Sequence, residues 1–137
     1  MGVLLTCGAV YSHFAPMVAP VAEGIREAGR EVAVAPGPSL AGDLDRLGLP
    51  HLSLPRMLTA VQRAADPDRA RHLGFIPEEM AEPVTGATFG RLFAGETALR
   101  SAEDLLAVAS GFRPDLVVRE NAELGGHLFA EKIGVPA

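Results

Sequence analysis

The sequence predicts an α/β fold, a three-layer sandwich around a mostly parallel, doubly wound sheet. Apolar runs without polar alternation recur at Val3–Cys7, Glu31–Ala35 and Asp115–Arg119, as in strands buried on both faces. Between the first two runs, apolar residues recur at helical spacing. That makes a βαβ unit, whose crossover is right-handed. At 137 residues and 48% hydrophobic composition, residues 1–137 amount to one domain with a buried core.

After the first strand, Val18, Val21, Ala22, Ile25 and Ala28 form one helical face, with Glu23, Arg26, Glu27 and Arg30 opposite. Pro16 and Pro20 make the first turn loose, or start the helix proper near Pro20. Gly29 stops it. Pro36-Gly37-Pro38 ends the second strand. Ser39–Gly48 holds a short helix, and Leu49–Leu54 reads as a weak third strand. Arg56–Ala65 looks helical. Pro67, Gly74, Pro77 and Pro83 break the next stretch of chain into loops. Ala87–Gly95 and Ser101–Ser110 read as helices, the second opened by a cap-like Ser101…Asp104 pair and closed by Gly111. The strand at Asp115 leads through a loop, Glu120–Glu123, into a last helix, Leu124–Ile133, ended by Gly134. A helix, a glycine stop and an X-Pro pair normally feed another strand, so the domain is expected to be incomplete.

Composition narrows the function. The net charge of −5 and the scattered arginines leave no basic stripe for nucleic acid. A single cysteine, Cys7, excludes an internal disulfide and a cysteine zinc site. No His, Asp or Glu grouping has metal spacing, so no metal is expected. The first residues match a bare myristoylation pattern and loosely a signal peptide. Gly2 leading into a strand, the missing positive n-region and the interrupting prolines argue against both. No apolar run is long enough to cross a bilayer, and a cytoplasmic location with no membrane partner is the expectation. GxGxxG, Walker A, GxSxG and HExxH are absent from the sequence.

The chemistry centres on His13, which leaves the carboxyl end of the first strand. Ligands bind at that edge of an open α/β sheet. The strand at Asp115 is expected beside the first one, which brings Glu120 to the same crevice. A lone loop histidine is more often a cap, and a lone loop glutamate is more often solvated. Their joint placement at the switch point is what suggests a site. A carboxylate bonded to one imidazole nitrogen fixes the tautomer and leaves the other nitrogen as a base. Phe75, Phe89 and Phe93 fit either an apolar pocket or the core. Gly125-Gly126 fits close helix–strand packing better than a phosphate site. Cys7 reads as a core residue and His51 and His72 as surface residues, and His127 lies within the last helix beside the glycine pair.

The run His13-Phe14-Ala15-Pro16, then a helix, then Ala28-Gly29-Arg30-Glu31-Val32 resembles the opening "GHxxP … aaGHeV" of a known family. Arg113-Pro114-Asp115-Leu116-Val117-Val118-Arg119-Glu120, with Ala130-Glu131-Lys132-Ile133-Gly134-Val135-Pro136 after it, resembles its "rPDLVVxe … AexlGiP". The chain thus resembles the amino-terminal, acceptor-binding, Rossmann-like half of a GT-B glycosyltransferase. The nearest type is the actinobacterial one that decorates macrolides, enediynes and other natural products.

The resemblance implies an inverting transfer of sugar from a nucleotide-sugar to a small-molecule hydroxyl. His13 would be general base and Glu120 its orienting acid. In such a domain Ser12, Phe14, Phe75 and Phe89 are the residues expected to contact the acceptor. It implies no cofactor beyond the nucleotide-sugar co-substrate, which the donor-binding half would hold. Ser12 stands where glycine is usual, Glu120 where aspartate is common, and Pro20 where an apolar helix former is expected. Without a donor-binding half the chain is expected to be inactive alone, and to self-associate or pair with such a half. The alternative is a non-catalytic ligand-binding or partner-pairing α/β module.

Overall fold

The computed structural model describes residues 1–75, 90 and 92–137. Its centre is a three-stranded parallel sheet of order β2-β1-β3, with β1 at Gly2–Thr6, β2 at Glu31–Ala35 and β3 at Leu116–Arg119. Leu5 pairs with Val34 on one side and Val118 on the other, so β1 is central, as its unbroken apolar run requires. Successive β1 side chains face opposite layers. Val3 and Leu5 pack with Phe14, Val18, Ala22 and Leu44. Leu4 packs with Leu105, Val117, Phe129 and Ala130 on the other face. Helices therefore cover both faces, giving the expected three layers.

The first crossover begins with a turn, α1 (Tyr11–His13), and runs through a π-helical segment, Phe14–Val18, into α2 (Ala19–Glu27). Pro16 and Pro20 carry no N–H, so two helical bonds cannot form. The chain widens instead, and Ala19 N–H bonds to Phe14 O, five residues back. After β2, a 3₁₀ turn (Pro38–Leu40) enters α3 (Ala41–Leu47). The expected third strand at Leu49–Leu54 is not one. It makes a single parallel bridge, His51 to Val34, with Leu52 N–H bonded to Val34 O and Leu54 N–H to Pro36 O. Pro50 has no N–H to donate, and the next donor in register, Arg56 N–H, bonds to Asp104 Oδ2 instead.

The helix expected over Arg56–Ala65 starts later, as α4 (Ala60–Ala65), because Thr59 and Gln62 form a capping box. Pro67 does not open a loop. It sits in the first turn of α5 (Pro67–His72), capped by Asp66. Of the helix expected over Ala87–Gly95, residues 87–89 and 91 lie outside the described residues. Leu92–Glu96 is a π-helical turn kinked at Gly95, and it leads into α6 (Thr97–Val108).

The Ser101…Asp104 pair is therefore inside α6 and caps nothing. Ser101 bonds to Glu123, and Asp104 holds the Arg56 guanidinium at 2.7 Å. Burial alone would lower the Arg56 pKa, but its bonds to Glu103 and Asp104 outweigh that and raise it. A 3₁₀ turn, Ala109–Gly111, comes next. The last helix, α7 (Gly125–Ile133), ends where Gly134 takes a left-handed φ of +77°. No helix among the described residues is long and apolar enough to cross a membrane.

Candidate active site

The site lies at the carboxyl ends of β1 and β3. Glu120 directly succeeds β3, and its N–H donates to Thr6 O at 2.9 Å, which fastens it to the end of β1. His13 arrives from the loop after β1. Ser39 Oγ donates to Ala9 O at 2.8 Å and steadies that loop. Gly37 lies so close that a β-carbon there would sit 2.2 Å from Met57 O, so the turn after β2 wedges between the loop and residue 57.

His13 Nδ1 meets Glu120 Oε1 at 3.0 Å. A carboxylate only accepts, so Nδ1 carries the proton and Nε2 keeps the lone pair in the neutral ring. Ala122 N–H donates to the same Oε1 at 3.0 Å. The Glu120 side chain is 1% exposed and that of His13 43%. The orienting carboxylate is sealed, while the imidazole stays within reach of a ligand.

Both residues line a cavity of about 490 Å³. Met57, Leu58, Phe75, Phe93 and Leu124 give it apolar walls, and Thr59 and Asn121 add polar points. Pockets of this size and character suit a small organic molecule. Phe75 is buried and flanked by the Arg63 and Arg100 guanidinium groups, 5.3 and 4.6 Å from its ring centre.

The expected acceptor contacts divide. Phe75 is on the cavity wall. Phe14 is not: it is 1% exposed, packs in the core with Val18 and Leu44, and lines a separate hollow of about 270 Å³. Ser12 is exposed and is not among the residues lining the larger cavity. Consecutive helical residues point about 100° apart, so with His13 on the cavity its neighbours face elsewhere. Phe89 lies outside the described residues.

Sequence reasoning missed Glu123, read only as part of a loop. It is buried, and its carboxylate accepts from Gly125 N–H, Gly126 N–H and Ser101 Oγ. The amino end of α7 thus holds an anion of this same chain. A β-carbon at Gly126 would sit 2.2 Å from Thr6 Oγ1 and one at Gly125 2.4 Å from Ser101 Cβ, so the glycine pair serves close packing. A carboxylate with glycines two and three residues after it is the signal that could have found it.

Cys7 is fully buried. Burial first, then the nearby Glu123 and Glu120 charges, pushes its thiol up to about 12. The folded chain binds this proton more tightly than the unfolded one. Stability from the neutral thiol is therefore complete below about pH 9 and is lost as pH rises towards about 12. Native protein is expected to resist thiol alkylation at about pH 8 and to label fully in urea. Fast labelling of the native form would contradict this placement.

His51 pairs with Asp45 at 3.1 Å and His127 with Glu131 at 3.5 Å, and His72 is exposed. Among the described residues no group of three or more His, Cys, Asp or Glu could hold a metal.

No protein-family model matches the sequence. Over 98% of its length the chain is 30% identical to tylactone mycaminosyltransferase of Streptomyces fradiae, of which it spans 32%. It is also 30% identical to aklavinone 7-beta-L-rhodosaminyltransferase of Streptomyces galilaeus, over 98% of the chain and 33% of that protein. The chain therefore spans about a third of the length of the curated relatives it matches. Among solved structures it is similar to the glycosyltransferase SsfS6 of Streptomyces sp. SF2575, with a TM-score of 0.75 and 25% identity, over 99% of this chain and 38% of that one. It is also similar to the glycosyltransferase VinC in complex with dTDP, with a TM-score of 0.65 and 27% identity, over 99% of this chain and 33% of that one. The homologues of the chain are thus Streptomyces natural-product glycosyltransferases, and its fold is that of the Rossmann-like half of a GT-B enzyme.

Proposed function

We propose that this chain, a homologue of Streptomyces natural-product glycosyltransferases, is the acceptor-binding portion of an inverting enzyme of that kind. One observation carries the reading: His13 and Glu120, from two neighbouring strand ends, pair at 3.0 Å on the wall of a largely apolar cavity.

The acceptor lies in the cavity with its hydroxyl at the imidazole. His13 Nε2 takes the hydroxyl proton as the oxygen attacks the anomeric carbon. The bond from that carbon to the phosphate oxygen breaks on the opposite side, and the nucleoside diphosphate leaves with the electron pair. Attack and departure on opposite faces invert the anomeric centre. Glu120 holds the ring as the Nδ1–H tautomer and stabilises the imidazolium that forms. Met57, Phe75 and Leu124 exclude water and orient the acceptor. Reading of the nucleotide-sugar falls to a donor-binding half, so the chain alone binds acceptor and transfers nothing.

Calorimetry and a transfer assay test this together. The chain alone is expected to bind an apolar hydroxylic natural product, to show no heat with nucleotide-sugars, and to give product only when paired with a donor-binding half. That product is expected to have inverted anomeric configuration by NMR. Retained configuration, or nucleotide-sugar binding by the chain alone, would overturn the reading. Acceptor binding with no transfer beside any donor-binding half would mark a non-catalytic binding module instead.

A further inference from the structure

The turn between β3 and α7 carries a second carboxylate that the transfer step does not use. Glu123 is 3% exposed. One of its oxygens accepts from Ser101 Oγ at 2.7 Å and Gly125 N–H at 2.8 Å, and the other from Gly126 N–H at 2.9 Å. Its own N–H donates to Glu120 O at 3.1 Å. Its side chain is thus anchored to α6 and α7, while its backbone grips Glu120. Residues 120–124 have no helical or strand ladder, and the turn's own bonds, Glu123 N–H to Glu120 O and Ala122 N–H to Glu120 Oε1, do not tie it to α6 or α7. A buried carboxylate is stable only with such donors, and three of them leave it little freedom.

We propose that Glu123 is a positioning residue for the His13–Glu120 pair. By pinning the turn to two helices it keeps Glu120 Oε1 where that atom accepts both Ala122 N–H and His13 Nδ1–H. The imidazole is then held as the tautomer whose Nε2 is basic. This rests on the reading of His13 as a base oriented by Glu120. Glu123 touches neither reacting atom in that scheme and acts through Glu120. A β-carbon would sit 2.5 Å from Ser101 Oγ at Gly125 and 2.9 Å from Glu123 Oε2 at Gly126, so the two glycines leave room for this cluster.

Long-range proton–nitrogen NMR of the ¹⁵N-labelled chain reports the His13 tautomer at about pH 8.5, above the ordinary imidazole range. Amide exchange reports the Ala122 bond. Glu123→Gln offers one oxygen to three donors. It is expected to speed Ala122 exchange by about tenfold and to drop the Nδ1–H form from dominant to a minority. Ser101→Ala removes one donor and leaves the carboxylate, so a smaller change in the same direction is expected. It decides the matter if Glu123→Gln does not fold. An unchanged tautomer in a folded Glu123→Gln variant, or in Ser101→Ala when that is the one that folds, overturns the proposal. Glu120→Ala, which removes the acceptor of the His13 Nδ1–H, separates the two layers of inference. If it leaves the tautomer untouched, the base-and-orienter reading itself fails. If it abolishes the Nδ1–H form while both other variants do not, only the positioning role falls.

Discussion

Replacing His13 by alanine, in an enzyme that pairs this chain with a donor-binding half, is expected to lower kcat by about 10²- to 10⁴-fold. Acceptor affinity is expected to stay within about threefold, because the lost group acts mainly in the transition state. The reason is geometric. His13 is the described residue that combines an oriented ring, a lone-pair nitrogen and a place on the cavity wall. The other polar groups on the cavity are hydroxyls, the Asn121 amide, the Arg63 cation, and the carboxylates of Glu120 and Glu123, both sealed from solvent, so none of them can replace it as the proton acceptor. Steady-state kinetics with acceptor titration checks this. A variant retaining more than about a tenth of the wild-type kcat would remove His13 from the mechanism.

The largest stability effect is expected at Gly126. Within a helix, glycine to alanine normally stabilises by about 0.5–1 kcal/mol. At Gly126 the added carbon would meet Thr6 Oγ1 at 2.2 Å and Glu123 Oε2 at 2.9 Å. Thr6 belongs to the central strand, in register with Ala35 on one side and Arg119 on the other, so α7 must move instead. Gly126→Ala is therefore expected to destabilise by about 1–3 kcal/mol, the usual cost of overpacking. Gly24, within α2, has nothing within 4 Å of an added β-carbon. Gly24→Ala is expected to stabilise by about 0.5–1 kcal/mol. Urea unfolding of the two variants side by side checks the opposite signs. Gly126→Ala at or above wild-type stability would show that α7 does not seat on β1 in this way.

The sheet and the pairing of the site were legible because they depend on local pattern and chain order. Two apolar runs joined by a helical one make a right-handed parallel unit. A third run buried on both faces belongs beside the central strand, and β3 does pair there. Once that neighbour is known, the residues leaving the two strand ends must share a crevice, and His13 and Glu120 do. Ser12 and Phe14, expected to contact the acceptor, are the sequence neighbours of His13. A helix separates sequence neighbours by about 100°, and Phe14 went to the core. The stretch Leu49–Leu54 has the composition of a strand, but Pro50 lacks a donor and the following donor, Arg56 N–H, turns to Asp104.

By itself the sequence determined the α/β layering, the central place of β1 and the histidine–glutamate pair, because periodicity, helix breakers and strand order are written residue by residue. Only the tertiary structure decided which side chains reach the cavity, that Ser101 and Asp104 serve Glu123 and Arg56 rather than a helix cap, and that Glu123 pins the turn. Those contacts join residues 22 and 48 positions apart. Their partners are chosen by how helices seat on the sheet, a property of the packed whole that no local pattern encodes.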